Sequence, residues 1–153
     1  MRLYQAGPLF SDAERQWHLS FKQKLEAAGH TVVWPGELIS QADVTAWGAD
    51  APRRIMQIDS EAILACIAVV ALLDGAQVDD GTAWEIGYAY AKGIPVVGIR
   101  TDFRVCSDSG HEGVVNAMIQ GSVVGIAKSV EEALEMVSSI SSPDNTPSRS
   151  ASR

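Results

Sequence analysis

The chain has 153 residues, of which 46% are hydrophobic, and a formal net charge of −7 at pH 7. This length suits one domain with a sizeable core, and the composition is that of an ordinary globular protein. The negative charge disfavours nucleic acid or an anionic membrane surface as a partner, and no apolar run approaches the ~18 residues of a membrane span.

Cysteine and histidine give no metal-binding pattern. Cys66 and Cys106 have neither metal-ligand spacing nor a disulfide framework, so a reducing cytoplasm is the expected location. His18, His30 and His111 are scattered along the chain. We therefore predict no metal centre built from these residue types.

The N-terminal part alternates strand, helix and strand, over residues 1–6, about 13–28 and 30–34. Gly7-Pro8 ends the first strand, and Ser11 or Asp12 can cap the helix. The helix carries an apolar stripe at a spacing of four, which indicates core packing. The stripe consists of Trp17, Phe21 and Leu25.

The middle of the chain contains the longest predicted connection. Residues 35–51 show no steady apolar period, which predicts a long loop of the kind that often forms a lid or a binding loop. A helix follows from about Pro52 to Ala65. The run from Ile67 to Leu73 is continuously apolar, which is typical of a central parallel strand buried on both faces.

The C-terminal half continues the alternation and ends in a polar tail. Residues 141–153 are rich in Ser and Pro and are predicted to be a disordered tail. The predicted elements before it are a helix around Glu85, a strand at 95–99, an irregular segment at 100–110, a short helix at 112–120, a strand at 122–127 and a helix at 130–140.

This alternation predicts the fold. Strands that alternate with helices form a parallel sheet with helices on both faces, and right-handed crossovers favour a flavodoxin-like doubly wound arrangement. We therefore predict a single α/β domain over residues 1–140 with a five-stranded parallel sheet. Ligands of such sheets bind beyond the carboxyl ends of the strands.

The stretch from Asp79 to Pro95 places a carboxylate at that edge. Gly81 allows a tight turn after the third strand, and Asp79 or Asp80 can cap the helix that follows. Glu85 falls about one turn into this helix and has small neighbours along it, as expected of a side chain aimed into a cleft. The alternative is that Glu85 only complements the helix dipole.

The chemistry available at this edge is acidic. Asp74, Asp79, Asp80 and Glu85 fall within twelve positions, and carboxylates accept hydrogen bonds from sugars and nucleobases. Acidic pairs also support substitution at an anomeric carbon, where one carboxylate can become the nucleophile. A metal site built from these aspartates is the competing interpretation.

Neither a dinucleotide nor a nucleoside triphosphate is indicated, because the chain lacks the glycine-rich motifs that bind them, and we predict no cofactor. The acidic groups would repel a phosphate. Arg100 and Arg104 follow the fourth strand, and we expect both to pair with surface acids rather than face the site.

Four segments resemble the nucleoside 2-deoxyribosyltransferase family. The similarity spans roughly residues 1 to 140, and its most specific part is Asp-x-Gly-Thr-Ala-x-Glu-x-Gly-x-Ala after a buried strand. The segments are Tyr4-Gln5-Ala6-Gly7-Pro8-Leu9-Phe10, Asp59, Asp79 to Ala89, and Asn116-Ala117-Met118.

The resemblance implies a double displacement. The glutamate of the motif, here Glu85, would attack C1′ of a 2′-deoxynucleoside, release the base, and later give the sugar to a second base. Tyr4 matches a tyrosine that holds and tunes the nucleophile. Asp79 matches an aspartate that accepts from the sugar 5′-hydroxyl, and Asp59 one that exchanges a proton with the base.

Other residues would bind substrate. Asn116 resembles an asparagine lent by a neighbouring subunit, which implies a homo-oligomer with shared active sites. Phe10 is placed to stack on a base, although a core role is the alternative, and Gly7 and Gly81 belong to the matched motifs. The implied partners are deoxynucleosides and free nucleobases.

Three functions stay open at this point. The first is deoxyribosyl transfer, and the second is N-glycoside hydrolysis on the same scaffold, with water in place of the second base. The third is a non-catalytic nucleoside-binding module, against which Glu85 and Tyr4 argue because a binder needs no nucleophile. Purine or pyrimidine preference is not assigned, since residues 35–51 match no base-recognition pattern.

Overall fold

The computed structural model describes residues 1–104, 106–108, 111–113 and 115–140, and these contain seven strands and seven α-helices. The predicted tail at 141–153 lies outside these residues. The strands are β1 (Arg2–Ala6), β2 (Thr31–Val33), β3 (Ala68–Leu72), β4 (Val96–Ile99), β5 (Cys106–Asp108), β6 (His111–Gly113) and β7 (Gly125–Ala127). The helices are α1 (Asp12–Ala27), α2 (Pro35–Leu38), α3 (Gln41–Trp47), α4 (Ala51–Leu64), α5 (Asp80–Ala91), α6 (Ala117–Ser122) and α7 (Val130–Ile140).

Five of the strands form one parallel sheet in the order β2-β1-β3-β4-β7. In its register, Tyr4 of β1 lies opposite Val69 of β3, and Val69 lies opposite Val96 of β4. The order reverses direction at β1, so helices cover both faces. The predicted flavodoxin-like, doubly wound single domain is confirmed.

Two apolar layers flank the sheet because strand side chains alternate between its faces. Leu3 of β1 packs with Phe21 and Leu25 of α1 on one face. Tyr4, the next residue, belongs to the opposite layer, which includes Ile63 of α4 and Ile86 of α5. The alternation of β1 therefore sends Tyr4 toward α4 and α5.

The prediction of a long loop at residues 35–51 is wrong. The segment contains α2, α3 and a 3₁₀ turn at Gly48–Asp50. Pro35 begins α2, and Ser40 caps α3 by accepting from the backbone N–H of Asp43, whose carboxylate accepts from the Ser40 N–H in return. These short helices have local capping signals and no sustained apolar period, which explains the error.

The C-terminal boundaries also differ from the prediction. The expected helix at 112–120 begins only at Ala117, and the residues before it include β6, which pairs antiparallel with β5 in the segment predicted to be irregular. Asn116 sets the helix start, because its Oδ1 accepts from Met118 N at 2.9 Å. The last strand begins at Gly125 rather than at residue 122.

No described helix combines the length and apolar character that crossing a membrane requires.

Candidate active site

A tyrosine and a glutamate meet at the carboxyl edge of the sheet. Tyr4 is fully buried on β1, and Glu85 lies in the second turn of α5, whose Ile86 and Ala89 pack the helix against the sheet. Tyr4 Oη donates a hydrogen bond to Glu85 Oε1 at 2.5 Å. No described residue donates to Oε2, so this second oxygen is available to a substrate.

Burial shapes the acidity of both groups. It raises the pKa of Glu85 to about 8, opposed by the hydrogen bond from Tyr4 and reinforced by the charges of Asp59 and Asp79. Burial also raises the pKa of Tyr4, and the charges of Glu85 and Asp59 add to that effect. Tyr4 therefore stays a donor over the working pH range, and its donation favours the Glu85 carboxylate.

Asp59 is a second carboxyl residue whose charge acts on Tyr4 and Glu85. It lies on α4, and burial raises its pKa to about 6. Its Oδ1 is buried and has no hydrogen-bond partner among the described residues. A buried oxygen without a donor is costly unless the carboxyl holds a proton or a ligand supplies one. We call Tyr4, Asp59 and Glu85 the reactive cluster.

Asp79 lies between β3 and α5 and caps the helix. Its Oδ2 accepts from Thr82 N at 2.9 Å and from Thr82 Oγ1 at 3.0 Å. The prediction that Gly81 forms a tight turn is wrong, because Gly81 lies inside the first turn of α5. In the segment between β3 and α5, the glycine with a positive φ is Gly75, at 123°. Capping leaves Asp79 Oδ1 without a described donor, so a substrate hydroxyl can still reach it.

The turn after β1 presents Gly7 and Phe10. Gly7 has a backbone φ of 153°, a conformation that residues with a side chain rarely adopt. Phe10 is 75% exposed, which rules out the core role. The exposed ring is free to contact a ligand, and its stacking on a base stays a prediction.

Asn116 is exposed at the start of α6, and no hydrogen bond between described residues joins it to the reactive cluster. Helix α6 packs beside α5, which carries Glu85. The structure of one chain therefore places Asn116 at the surface, and its use by a neighbouring copy stays a prediction.

A second group of charged residues at the same edge was not recognised as a unit from the sequence. Asp74 accepts from Thr101 N at 2.6 Å, from Thr101 Oγ1 at 2.5 Å and from Asp102 N at 2.9 Å. Asp102 in return accepts from Gly75 N at 3.1 Å. These bonds join the segments that follow β3 and β4. Asp74, Arg100, Thr101 and Asp102 are called the loop clamp below.

Arg100 contradicts the expectation that it pairs with a surface acid. It is only 3% exposed, and its guanidinium donates to the carbonyls of Leu73, Gly75 and Arg104. Arg104 does pair with Asp102, with Nε 2.9 Å from Oδ1. Asp74 accepts from backbone N–H groups and from the Thr101 hydroxyl. The described residues contain no group of three His, Cys, Asp or Glu side chains placed to hold a metal ion.

The family follows from a match between residues 3–118 and the family model described as nucleoside 2-deoxyribosyltransferase. The chain belongs to this family, a family of enzymes that act on nucleosides. A search of curated proteins finds no match.

Solved structures share the fold. A conserved protein from Enterococcus faecalis V583 is 30% identical, with a TM-score of 0.78 over 91% of this chain and 98% of the other. A 2-deoxyribosyltransferase from Bacillus psychrosaccharolyticus is 22% identical, with a TM-score of 0.71 over 88% and 90%. A CMP N-glycosidase from Clostridium botulinum is 21% identical, with a TM-score of 0.58 over 90% and 98%.

Proposed function

We propose that this protein transfers 2-deoxyribose between nucleobases by double displacement, with Glu85 as the nucleophile. Membership of the family supports the reaction class. The observation that carries the proposal is the 2.5 Å hydrogen bond from Tyr4 Oη to Glu85 Oε1 at the ligand-binding edge of the sheet. A partly buried carboxylate oriented by one donor, whose other oxygen has no donor among the described residues, is suited to covalent catalysis.

In the first step, Glu85 Oε2 forms a bond to C1′ of the deoxynucleoside while the bond between C1′ and the base nitrogen breaks. The electron pair of that bond leaves with the base. Positive charge develops at C1′ in the transition state, so an ionised Glu85 stabilises it before the new bond is complete. Tyr4 supports the ionised form by donating to Oε1.

The departing base needs a proton at the nitrogen that held the sugar. We assign this proton transfer to Asp59, whose pKa is raised by burial to about 6, within the range of a general acid near neutrality. Because burial raises the pKa of Glu85 to about 8, the reactive form, with Glu85 ionised and the proton on Asp59, is the minor protonation state of the pair. Its buried Oδ1, which has no partner in the described part of the chain, fits a carboxyl that exchanges a proton with a ligand. In the second step a new base attacks C1′, returns its proton to Asp59 and releases Glu85.

Asp79 would bind the 5′-hydroxyl of the sugar, with Gly7, Gly81 and Phe10 as further binding residues. The capping bonds from Thr82 fix the Asp79 carboxylate by one oxygen and leave the other to accept from a hydroxyl. A 5′-phosphate would meet this carboxylate instead. Arg100 cannot offset the repulsion while its guanidinium is buried against backbone carbonyls.

The active site would be completed by another copy of the chain through Asn116. Of the apolar residues near α6, Val115 is buried within the chain and Met118 is 79% exposed, while Val114 lies outside the described residues. Trp84 on the neighbouring α5 is also half exposed. Light scattering at micromolar concentration should give an oligomer, and a fully active monomer would refute the shared site.

Hydrolysis is the second candidate, and it is favoured by the likeness to a CMP N-glycosidase. The first step would be the same, with water taking the place of the second base. The difference lies in whether water is excluded from the covalent intermediate. A non-catalytic binder is disfavoured, because binding alone gives no reason to hold a partly buried carboxyl beside a tyrosine donor.

One incubation separates these functions. The protein is mixed with deoxyinosine and free adenine, and the products are resolved by chromatography. Deoxyadenosine supports transfer, whereas hypoxanthine with free deoxyribose supports hydrolysis. If neither set of products forms, the incubation is repeated with the pyrimidine pair deoxyuridine and thymine. The proposal fails if this pair gives no product either.

A further inference from the structure

The turn that follows β1 packs against a buried histidine, His18. A Cβ placed on Gly7 would lie 2.5 Å from Cε1 and 2.6 Å from Nε2 of His18, so the Gly7 backbone and the imidazole edge are in direct contact. His18 is fully buried on α1. Only a glycine can approach the ring this closely, because a side chain at this position would overlap the imidazole.

His18 is itself held from two sides. Gln5 Nε2, on β1 next to Tyr4, lies 2.7 Å from His18 Nδ1 and also donates to the His18 carbonyl at 2.9 Å. The Trp34 ring stacks on the imidazole with centroids 5.7 Å apart and planes 20° apart. The ring therefore has little freedom to turn or to retreat from Gly7.

The charge state of the ring is defined by the same contacts. Burial lowers the pKa of His18 to about 4, although the backbone of Pro8 opposes the shift, so the ring is neutral at working pH. Because Nδ1 faces the Gln5 amide donor, the ring proton belongs on Nε2, the nitrogen nearest Gly7. A neutral ring with this tautomer is a fixed support, and the reaction proposed above does not use it as an acid or base.

A second residue of α1 holds the rest of the same turn. Arg15, one helical turn before His18, donates from Nη1 to the carbonyls of Leu9 at 2.9 Å and Phe10 at 3.0 Å. Helix α1 thus contacts residues 7–10 at both ends of the segment. The buried end, at His18, is the one beside the strand that carries Tyr4.

We propose that His18 is a positioning residue for the substrate: through its contact with Gly7 it fixes the turn at residues 7–10 against the reactive cluster. This inference rests on the proposed function, in which Gly7 and Phe10 contact the nucleoside. His18 touches neither the substrate nor the reacting atoms. Its loss should therefore weaken substrate binding while leaving the chemistry of Tyr4 and Glu85 in place.

Two substitutions at His18 distinguish the contact of the ring with Gln5 from its contact with Gly7. His18→Asn keeps an amide near the Nδ1 position, toward Gln5, but removes the atoms that contact Gly7. His18→Gln extends to the Nε2 position and restores a group beneath Gly7. We expect His18→Asn to raise KM for the nucleoside about tenfold with kcat changed less than threefold, and His18→Gln to recover most of the loss.

The control is Phe21→Leu, a substitution in the same helix at a buried residue that is not among the nearest neighbours of Gly7, which are His18 and Leu72. It should lower the melting temperature without raising KM, as a purely structural change does. If His18→Asn leaves KM unchanged, or if Phe21→Leu raises KM equally, the positioning role is refuted.

Amide hydrogen exchange gives a readout that does not depend on turnover. His18→Asn should accelerate exchange at Gly7, Leu9 and Phe10 relative to the rest of the chain, whereas Phe21→Leu should not. If the unmodified protein turns over no nucleoside, the proposed function fails, and the exchange result still decides whether His18 holds the turn. Unchanged exchange at these three amides would overturn the inference.

Discussion

The reactive cluster and the loop clamp lie at the same edge of the sheet and are both rich in carboxyl groups, yet their environments are opposite. In the clamp, Asp102 accepts from the Arg104 guanidinium and also from backbone N–H groups, and these bonds lower its pKa. In the reactive cluster, burial outweighs the few donors present and raises the pKa of Asp59 and Glu85. The two regions differ in the number of hydrogen-bond donors around each carboxylate, and not in the number of carboxylates. Carboxylates with many donors hold loops together, whereas carboxylates with few donors can exchange protons or attack carbon.

The strongest test of this contrast removes the nucleophile. Glu85→Ala should abolish turnover, with a loss of several orders of magnitude, because covalent catalysis has no other route. Steady-state assays with a sensitive chromatographic readout measure the loss, and circular dichroism checks the fold. Asp80→Ala, an exposed acid in the same helix, is the matched control and should stay active. Residual activity above a few per cent in Glu85→Ala would show that the assignment is wrong.

The next largest effect concerns phosphate. An ionised Asp79 ~4 Å from a phosphate oxygen costs roughly 1 kcal/mol per unit charge in water and several times that in a partly buried site. We expect kcat/KM to be tenfold to a thousandfold higher for deoxyadenosine than for its 5′-monophosphate. Asp79→Ser should narrow the gap, since the serine hydroxyl can donate to the phosphate. Equal kcat/KM for the two substrates in the unmodified protein would move the assignment toward nucleotide hydrolysis.

Removing the tyrosine hydroxyl should have a smaller effect. Tyr4→Phe is expected to lower kcat roughly tenfold to a hundredfold, because one donor to the carboxylate is lost. The donation from Tyr4 lowers the pKa of Glu85, so its removal should raise that pKa above about 8. The limb of the kcat/KM profile that rises with pH should therefore move to higher pH in Tyr4→Phe. A limb that stays in place would mean that Tyr4 does not tune Glu85.

Stability should respond to pH with opposite signs in the two regions. Glu85 ionises near its ordinary pKa of 4.5 when unfolded and near about 8 when folded, so its ionisation destabilises the fold as the pH rises through this window. Glu85→Gln should therefore gain about 1–3 kcal/mol in free energy of unfolding at pH 9 and little at pH 4.

Asp102→Asn should behave in the reverse way. The folded-state pKa of Asp102 is lowered, so its contribution to stability is present above the unfolded value near 4 and is lost as the pH falls through the folded value. The substitution should destabilise the protein at pH 7 and matter less in acid. Urea unfolding across the pH range measures both variants, and shifts of the same sign would contradict the contrast between the regions.

The sequence predicted most of the scaffold because the decisive signals were local. The apolar run that became β3, the stripe of Phe21 and Leu25 on α1, and the Asp79 cap that begins α5 each act within one element. The segment at 35–51 failed despite the capping pair Ser40 and Asp43, because α2 and α3 are too short to show an apolar period.

The site was less predictable because its geometry depends on contacts between distant residues. Tyr4 and Glu85 are 81 positions apart, and only the family resemblance suggested that they meet. His18 and Arg100 carried no motif: their partners are a glycine backbone, a glutamine and carbonyl groups of other loops. Buried polar residues of this kind are identified by their surroundings, which periodicity does not reveal.

Trapping the covalent intermediate tests the central claim most directly. The protein is mixed with a 2′-deoxynucleoside in the absence of an acceptor base, quenched in acid within milliseconds to seconds, and digested for mass spectrometry. We predict a deoxyribosyl adduct on the peptide that contains Glu85, located at that residue by fragmentation, and its absence in Glu85→Gln. Turnover without any adduct on this peptide, or an adduct located on another carboxylate, would contradict the assignment of Glu85 as the nucleophile.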